Sequence, residues 1–276
     1  MDDARLLNEH SNAVVALPTA RLLARVGTNP NALDRVTLSV AVTRWLAGRG
    51  YPCVQPAEVD PFLVDGRVVS VWLLLDDVVA EPPATGAELG RLLHQLHRQP
   101  APPIPLRPLA DPFESVEAAI RQHPDGVTAA DRTWLRDQIE QLRHSWTEMD
   151  LALPVGLVHG DAHSNNLIRT TDRVILGDWD HVAHGPREWD LIQVHYMARR
   201  FGRHDPEELD AFAAEYEWDV REWPDAETLI RTREITGLSP YLRKAPKSRW
   251  DRDEAAYRIS TARTGDKLAH WNSPQR

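Results

Sequence analysis

Residues 157–180 read LVHGDAHSNNLIRTTDRVILGDWD, and this stretch decides how the rest of the chain is interpreted. Its two short apolar runs, each bounded by polar and turn-forming residues, predict β-strands. The residues between them include side chains that bind metals or exchange protons: His159, Asp161, His163, Asn165 and Asn166. The stretch closes on Asp178 and Asp180. The pattern therefore predicts a chemically active loop held between two β segments.

The spacing within the stretch matches the catalytic loop of kinases. His159, Asp161 and Asn166 form the pattern H-x-D-x-x-x-x-N, and Asp178 follows after the apolar run VILG. In phosphoryl transfer, one carboxylate accepts the proton of the acceptor hydroxyl. An amide oxygen and a second carboxylate hold Mg²⁺ against the β- and γ-phosphates. The spacing therefore indicates one nucleotide phosphate site.

HGDAHSNNL followed by GDWD resembles the aminoglycoside phosphotransferase family, small-molecule kinases with a protein-kinase-like fold. GPREWDL, AVVALP…LLARVG and TREITG extend the resemblance over nearly the whole chain in order. The resemblance implies Asp161 as the catalytic base and Asn166 and Asp178 as Mg²⁺ ligands. It also implies that His159 supports the loop, that Asp180 is an extra metal-shell or structural carboxylate, and that ATP or GTP is the co-substrate.

The N-terminal part departs from the family pattern at two places. The family has a strand lysine that contacts the α- and β-phosphates and pairs with a helix glutamate. The positional matches here are Arg25 in LLARVG and Ser39 on the facing helix. An arginine can hold phosphate bidentately, so Arg25 is predicted to bind nucleotide. NEHSNAV has no Gly-rich loop, and donors from Ser11 and Asn12 are expected to replace it.

Residues 1–80 are predicted to form the nucleotide-binding lobe, a small antiparallel sheet with one helix. AVVALP and RLLARVG predict one hairpin, and Asp65-Gly66 between apolar runs predicts another. Residues 33–47 carry an apolar face of helical spacing and end at glycines. The base of the nucleotide is expected to contact the connector after this lobe, with Leu74 and Asp76 as binding residues.

Residues 81–276 are predicted to form the catalytic and substrate-binding lobe, mainly helical, so the fold class is α+β with two kinase-like lobes. Thr85 and Glu88 have capping-box spacing before a leucine stripe of helical period. Residues 131–147 repeat the helical pattern, and the quoted stretch inserts its two β segments. Asp190 follows a Gly-Pro break and starts a helix, where a carboxylate that binds loop amides is expected.

The acceptor is the least defined part of the prediction. Residues 205–227 contain ten acidic side chains and a single Arg221, which indicates either a solvated helix face or a wall for an amine-bearing substrate. Asp219 and Glu222 are the substrate candidates from this segment. His163 is the third, although hydrogen bonding to the turn backbone explains it as well.

Composition excludes several other classes. With 32 basic and 41 acidic residues the formal charge is −9, which disfavours binding to nucleic acid. The sequence predicts neither a membrane span nor a signal peptide, and the single Cys53 excludes an intrachain disulfide, so a cytoplasmic location is expected.

Other phosphate chemistries fit the sequence less well. HGDAH resembles a metallophosphoesterase cluster but lacks the further ligands, and the Asp-x-Asp of GDWD lies far from a first strand. The sequence predicts a kinase that phosphorylates a hydroxyl of an antibiotic or other amine-bearing metabolite, with antibiotic resistance as one role. The alternative is a catalytically degenerate, nucleotide-binding regulatory homologue.

Overall fold

The N-terminal part of the chain is an antiparallel sheet with one helix packed on it. The structure is a computed structural model that describes residues 3–9 and 12–273, so Ser11 lies outside the described residues. Five strands occur in the order β1-β2-β3-β5-β4. Their bounds are β1 Arg5–Glu9, β2 Asn12–Leu17, β3 Leu22–Gly27, β4 Phe62–Val64 and β5 Arg67–Leu73.

Both predicted hairpins are confirmed. The β2–β3 hairpin turns through Pro18–Ala20, and its register pairs Val14 with Arg25. The β4–β5 hairpin turns at Asp65 and Gly66, whose φ angles are 49° and 73°. Two successive residues with positive φ match the right-handed twist of the flanking strands, which explains the Asp-Gly pair. These hairpins place Arg25 on the central strand, opposite Ser70 of β5.

Nine helices are described along the chain, and eight of them follow the sheet. Helix α1, Leu33–Gly48, crosses the sheet, and α2 opens with both halves of the capping box between Thr85 and Glu88. The other bounds are α2 Gly86–His97, α3 Glu114–Gln122, α4 Ala129–Glu148, α5 Glu188–Phe201, α6 Pro206–Tyr216, α7 Ala226–Thr236, α8 Ser239–Lys244 and α9 Arg249–Thr264. The predicted α+β fold class is therefore confirmed.

The β insertion contains four short strands rather than the two predicted. They are β6 Gly156–Val158, β7 Leu167–Arg169, β8 Val174–Leu176 and β9 Ala183–Gly185. Strands β7 and β8 pair with each other, and β6 pairs with β9. Each has only three residues, too few for an alternating pattern in the sequence. The polar loop of residues 159–166 begins after β6 and ends before β7, so the two strand pairs hold its two ends.

One apolar core joins the N-terminal part to the helices. Tyr51 and Cys53, which follow α1, are buried in the same cluster as Leu176 and Trp179 of the insertion. The amide of Val54 also donates to the carbonyl of Leu176 at 3.2 Å. The two parts of the chain therefore share one core, and the division into lobes of residues 1–80 and 81–276 stays a prediction. In the described residues, none of the helices combines the length and apolar character needed to cross a membrane.

Candidate active site

The loop that follows β6 is held by a buried carboxylate at the start of α5. The amides of His159 and Gly160 each donate to Asp190 at 2.7 Å, and His97 lies 3.2 Å from the same side chain. Burial would raise the pKa of Asp190, but the hydrogen bond and charge of His97 and the hydrogen bond from the His159 amide outweigh it, so the pKa is lowered. Asp190 is therefore an ionised anchor for the loop.

Gly160 cannot be replaced by a larger residue without moving this loop. Its φ is +86°, and a Cβ atom there would overlap the carbonyl of His181. The Gly160 carbonyl accepts from the Trp189 indole at 3.1 Å and from Arg233 at 3.1 Å. Hydrogen bonds therefore hold both the amide and the carbonyl of Gly160, the residue immediately before Asp161.

His159 is fully buried and bridges the loop to the segment after β8. Its Nε2 lies 2.9 Å from the Gly177 carbonyl, and its Nδ1 accepts from the Asp161 amide at 3.3 Å. These two contacts require a neutral imidazole with its proton on Nε2. Burial lowers the pKa of His159, in agreement with the neutral form.

Asp161 lies at the base of a cavity with its side chain 33% exposed. Gln193 of α5 donates to Oδ1 at 2.9 Å, and Nε2 of His163 lies 3.6 Å from Oδ2. Burial would raise the pKa of Asp161, but His163, His181 and Arg233 outweigh it and hold the pKa well below its usual range. The carboxylate is therefore ionised throughout the physiological pH range, with one oxygen fixed by Gln193.

The β7–β8 pair brings Asn166 and Asp178 to the same end of the insertion. Asn166 precedes β7 and Asp178 follows β8, and the Gly177 amide donates to the Asn166 carbonyl at 2.8 Å. The Asn166 side-chain nitrogen donates to the Asp161 carbonyl at 2.8 Å. The amide oxygen is therefore the Asn166 atom that can ligate a metal ion.

Asp178 has left-handed backbone angles, φ 56° and ψ 61°, which few residues other than glycine, asparagine and aspartate tolerate. Its carboxylate and the Asn166 amide oxygen are hard oxygen donors of the kind that Mg²⁺ prefers. The described residues contain no group of three or more His, Cys, Asp or Glu side chains able to hold a metal ion. A metal held here would therefore need further oxygen ligands, such as phosphates.

Arg25 reaches from β3 to both carboxylates of the GDWD segment. Its guanidinium binds Asp180 with contacts of 3.2 and 3.1 Å, and its Nη2 lies 3.1 Å from Asp178. Burial would lower the pKa of Arg25, but the two carboxylates outweigh it and raise the pKa. Ser39, at the position expected for a helix glutamate, is buried on α1. The counter-ions of Arg25 therefore come from the segment after β8 rather than from α1.

Two adjoining cavities surround these groups. One, of about 640 Å³, is lined by residues that include Asn12, Arg25, Asp178 and Asp180. The other, of about 430 Å³, contains Asp161 in its wall. Three residues line both cavities: Ser115, His181 and Arg243. The two spaces therefore adjoin at these three residues, and Asp161 lines only the second. A separate cleft of about 530 Å³ has Leu74 and Asp76 in its wall.

The sequence-family comparison agrees with this geometry. The model of the phosphotransferase enzyme family, APH, matches residues 3–228, most of the chain. The chain belongs to this family. It is a phosphotransferase that acts on a hydroxyl group. Comparison with curated protein sequences found no match.

Solved structures of low sequence identity share the fold of this phosphotransferase. An amicoumacin kinase in complex with AMP-PNP, Ca²⁺ and Ami has a TM-score of 0.71 and 12% identity over 98% of this chain and 91% of that one. A choline/ethanolamine kinase family protein from Mesorhizobium loti has a TM-score of 0.68 and 15% identity, covering 96% and 89%. The spectinomycin phosphotransferase has a TM-score of 0.63 and 14% identity, covering 96% and 93%.

The acidic segment of the phosphotransferase does not reach the cavity beside Asp161. Among the described residues, those that line this cavity lie outside 205–227. Asp219 binds the backbone amide and guanidinium of Arg221, with its closest contact at 2.6 Å, and Glu222 lies in the same short helical turn. The predicted substrate contacts of Asp219 and Glu222 therefore have no support from this geometry.

Several residues of the site were missed by the sequence analysis. Gln193 follows Asp190 by three positions on α5, so both side chains face the loop, and this helical spacing was a usable signal. His181 directly follows GDWD and lines both cavities. Arg233 and Arg243 come from α7 and α8, more than 70 residues after Asp161; Arg233 lies in TREITG, which assigned its arginine no role, and Arg243 lies in none of the motifs above.

Proposed function

We propose that the chain is a small-molecule kinase that transfers the γ-phosphoryl of ATP or GTP to a hydroxyl in the cavity beside Asp161. The observation that carries this proposal is the ionised Asp161 carboxylate in the wall of a cavity that shares Ser115, His181 and Arg243 with the cavity lined by Arg25 and Asp178. A hydroxyl in one cavity can then face a phosphate in the other. In the reaction, the hydroxyl oxygen bonds to the γ-phosphorus as the bond to the leaving nucleoside diphosphate breaks.

Asp161 receives the proton of the hydroxyl and orients its oxygen toward the γ-phosphorus. A carboxylate with a lowered pKa is a weak base, so its main contribution is orientation, with proton transfer late in the reaction. Gln193 fixes Oδ1 at 2.9 Å, which leaves Oδ2 to face the acceptor. His159 and Asp190 act on the backbone of the loop and keep Asp161 in place. Contact of His163 with the substrate stays a prediction.

The phosphates are expected in the cavity that Arg25 and Asn12 line. Arg25 supplies a positive charge there, and backbone donors near Asn12 replace a Gly-rich loop; the contribution of Ser11 stays a prediction. Asn166 and Asp178 would hold Mg²⁺, which offsets the charge on the transferring phosphoryl group. The nucleotide base is expected in the cleft that Leu74 and Asp76 line. The AMP-PNP and Ca²⁺ named for the amicoumacin kinase support a nucleotide and divalent-metal site of this kind.

A nucleotide-consumption screen tests the proposal. Purified protein is mixed with Mg²⁺ and either ATP or GTP, then with aminoglycosides, other antibiotics, sugars and amino alcohols. Acceptor-dependent release of nucleoside diphosphate, together with a product heavier by one phosphoryl group, supports the kinase. Nucleotide binding without turnover would instead support the catalytically degenerate homologue. The predicted resistance role and cytoplasmic location stay predictions that this screen leaves aside.

A further inference from the structure

The cavity beside Asp161 is richer in positive than in negative side chains. Asp161 is the single carboxylate among the described residues that line it, whereas Arg233 and Arg243 contribute two guanidinium groups. His181 adds an imidazole to the same wall. A wall that selects amines would show the opposite balance, because a cation must be matched by carboxylates when it leaves water.

Arg233 supplies a buried positive charge under the cavity. Its side chain lies over the Trp189 ring, 3.6 Å from the ring centroid, and its Nη2 donates to the carbonyls of Gly160 and Trp189 at 3.1 and 2.8 Å. The residue is 8% exposed and its Nε has no hydrogen-bond partner among the described residues. Burial lowers the pKa of Arg233 to about 10, so the guanidinium is still cationic at neutral pH. Carbonyl acceptors orient this charge but do not neutralise it.

Arg243 places a second guanidinium at the junction of the two cavities. Its Nη1 donates to the hydroxyls of Ser115 and Ser239. Arg243 is exposed, and like the buried Arg233 it forms no ion pair with a carboxylate among the described residues, whereas most buried or half-buried arginines here do. Arg25, Arg143, Arg199, Arg200 and Arg258 all have carboxylate partners. Neither cavity arginine therefore has a direct ion pair within the described chain, and the charges of Asp161 and Asp190 act on Arg233 without a salt-bridge contact.

In the acidic segment, in contrast, four carboxylates pair with arginine or lysine side chains outside the cavity. Glu215 pairs with Arg91 at 2.7 Å, and Arg221 pairs with both Asp210 and Asp219. Glu227 pairs with Arg199 at 2.8 Å and with Lys267 at 3.0 Å. These pairs stabilise the packing around α6 and leave the segment without a role in the cavity wall.

We propose that the acceptor of this phosphotransferase carries an oxyanion group, such as a carboxylate or phosphate, and that Arg243 binds it. The inference rests on the proposed function, because it takes the cavity beside Asp161 as the acceptor site. Arg243 can bind an oxyanion through a charge-assisted hydrogen bond, and the buried charge of Arg233 adds to the attraction. The same charges repel an amine-bearing acceptor.

The position of Arg243 also allows a second role, and the test distinguishes that role from acceptor binding. Because Arg243 lines both cavities, it could bind the γ-phosphate instead of the acceptor. In that case Arg243→Gln would raise the KM or Kd of the nucleotide. If Arg243 binds the acceptor, the nucleotide constants stay within about twofold and the acceptor KM rises. Arg233 is not substituted in the test, because its hydrogen bonds support the loop that carries Asp161.

Lys244 is the matched control for Arg243. It is the next residue on α8, is exposed, and is not among the described residues that line either cavity. Lys244→Gln and Arg243→Gln each remove one positive charge, so they change the net charge of the protein equally. An effect of Arg243→Gln that Lys244→Gln lacks therefore reports on position rather than on overall charge.

The kinetic arm uses acceptors that share a skeleton and differ in one terminal group. One set consists of glycerate, glycerol and 3-amino-1,2-propanediol. The other consists of gluconate, glucitol and glucamine. Each set gives an acid, a neutral alcohol and an amine, in that order. The proposal predicts that the acid has the highest kcat/KM in a set that is turned over. For the acid, Arg243→Gln should raise KM at least tenfold, and Lys244→Gln should change it less than twofold. Preference for the amine, or a nucleotide KM that rises in place of the acceptor KM, would overturn the proposal.

The binding arm does not depend on turnover. The three proteins are melted with Mg²⁺ and ADP, alone and with gluconate or glucamine at matched ionic strength. Gluconate should stabilise the wild type and Lys244→Gln more than glucamine does, and Arg243→Gln should lose this difference. Equal effects of the two compounds on the wild type would overturn the inference. Failure of every acceptor in the kinetic arm, with the gluconate effect intact, would contradict the proposed function but support the oxyanion site.

Discussion

Arg25 shows how a single substitution from the family pattern is accommodated. It stands where the family has lysine, and the two carboxylates after β8 supply the counter-ions in place of a helix glutamate. From the sequence, Arg25 was expected to contact phosphate or to face solvent, and Ser39 on α1 offered it no carboxylate partner. Asp178 and Asp180 lie more than 150 residues further on, and only the fold brings them to Arg25.

The ion pairs of Arg25 predict a loss of stability when it is truncated. Arg25→Ala would leave Asp178 and Asp180 together without their shared cation, which costs about 1–3 kcal/mol for a poorly solvated charged group. Urea unfolding without nucleotide measures this change. Arg91→Ala is the control, because its pair with Glu215 is exposed and should contribute less than about 1 kcal/mol. Unfolding free energies that match between Arg25→Ala and the wild type would rule out a structural contribution of these ion pairs.

At the scale of elements, the local signals in the sequence predicted the helices and hairpins well. The Asp65-Gly66 turn, the capping box of α2 and the β2–β3 hairpin depend on neighbouring residues, and all three are confirmed. The three-residue strand β9 and the six-residue helix α8 lack such signals. Their positions depend on tertiary packing, which is why Arg243 was missed while Asp161, Asn166 and Asp178 were found from their spacing.

The anchor between α5 and the catalytic loop gives a prediction with a defined pH dependence. Asp190→Asn replaces the charged acceptor of two amides by a neutral group with one oxygen, so it should lower the free energy of unfolding by about 2 kcal/mol or more at pH 7. The folded-state pKa of Asp190 is lowered, so its stabilisation is complete above the unfolded pKa of about 4 and declines as the pH falls further. The difference between the two proteins should therefore shrink below pH 4.

Urea unfolding at several pH values checks this prediction. Tm alone is less informative, because many carboxylates titrate in the same range. Asp210→Asn is a suitable control, since Asp210 is a mostly exposed partner of Arg221. A difference between Asp190→Asn and the wild type that stays constant from pH 7 to pH 3 would contradict an ionised anchor at Asp190.

At the scale of the whole molecule, the site lies where the sheet, the β insertion and the late helices meet. Arg25 comes from the sheet, Asn166 and Asp178 from the insertion, and Arg243 from α8. Composition and net charge could not indicate this convergence, because β3 and α8 are more than 200 residues apart along the chain. The apolar core shared by both parts holds the segments together.

This convergence predicts that metal and nucleotide stabilise the fold together. If Asn166 and Asp178 hold Mg²⁺ between the phosphates, ATP should raise Tm far more with Mg²⁺ than with EDTA, because a ligand stabilises by RT ln(1 + [L]/Kd). Asp178→Asn should remove most of the difference, whereas Asp253→Asn, an exposed carboxylate on α9 that lines neither cavity nor the base cleft, should keep it. Equal thermal shifts with Mg²⁺ and with EDTA would show that the metal assignment is wrong.

The central claim is that Asp161 carries the phosphoryl transfer, and the most direct measurement is turnover by Asp161→Asn. Asparagine keeps the shape of the side chain and an oxygen for Gln193, but it removes the charge and the proton affinity. The substitution removes both the orientation of the hydroxyl and its late proton acceptor; a positioned group of this kind contributes about 10²–10⁴-fold in rate, so kcat should fall by about that factor with an acceptor from the screen. The nucleotide Kd should stay within a few-fold, because Asn166, Asp178 and Arg25 are unchanged. Turnover by Asp161→Asn at the wild-type rate would contradict the account.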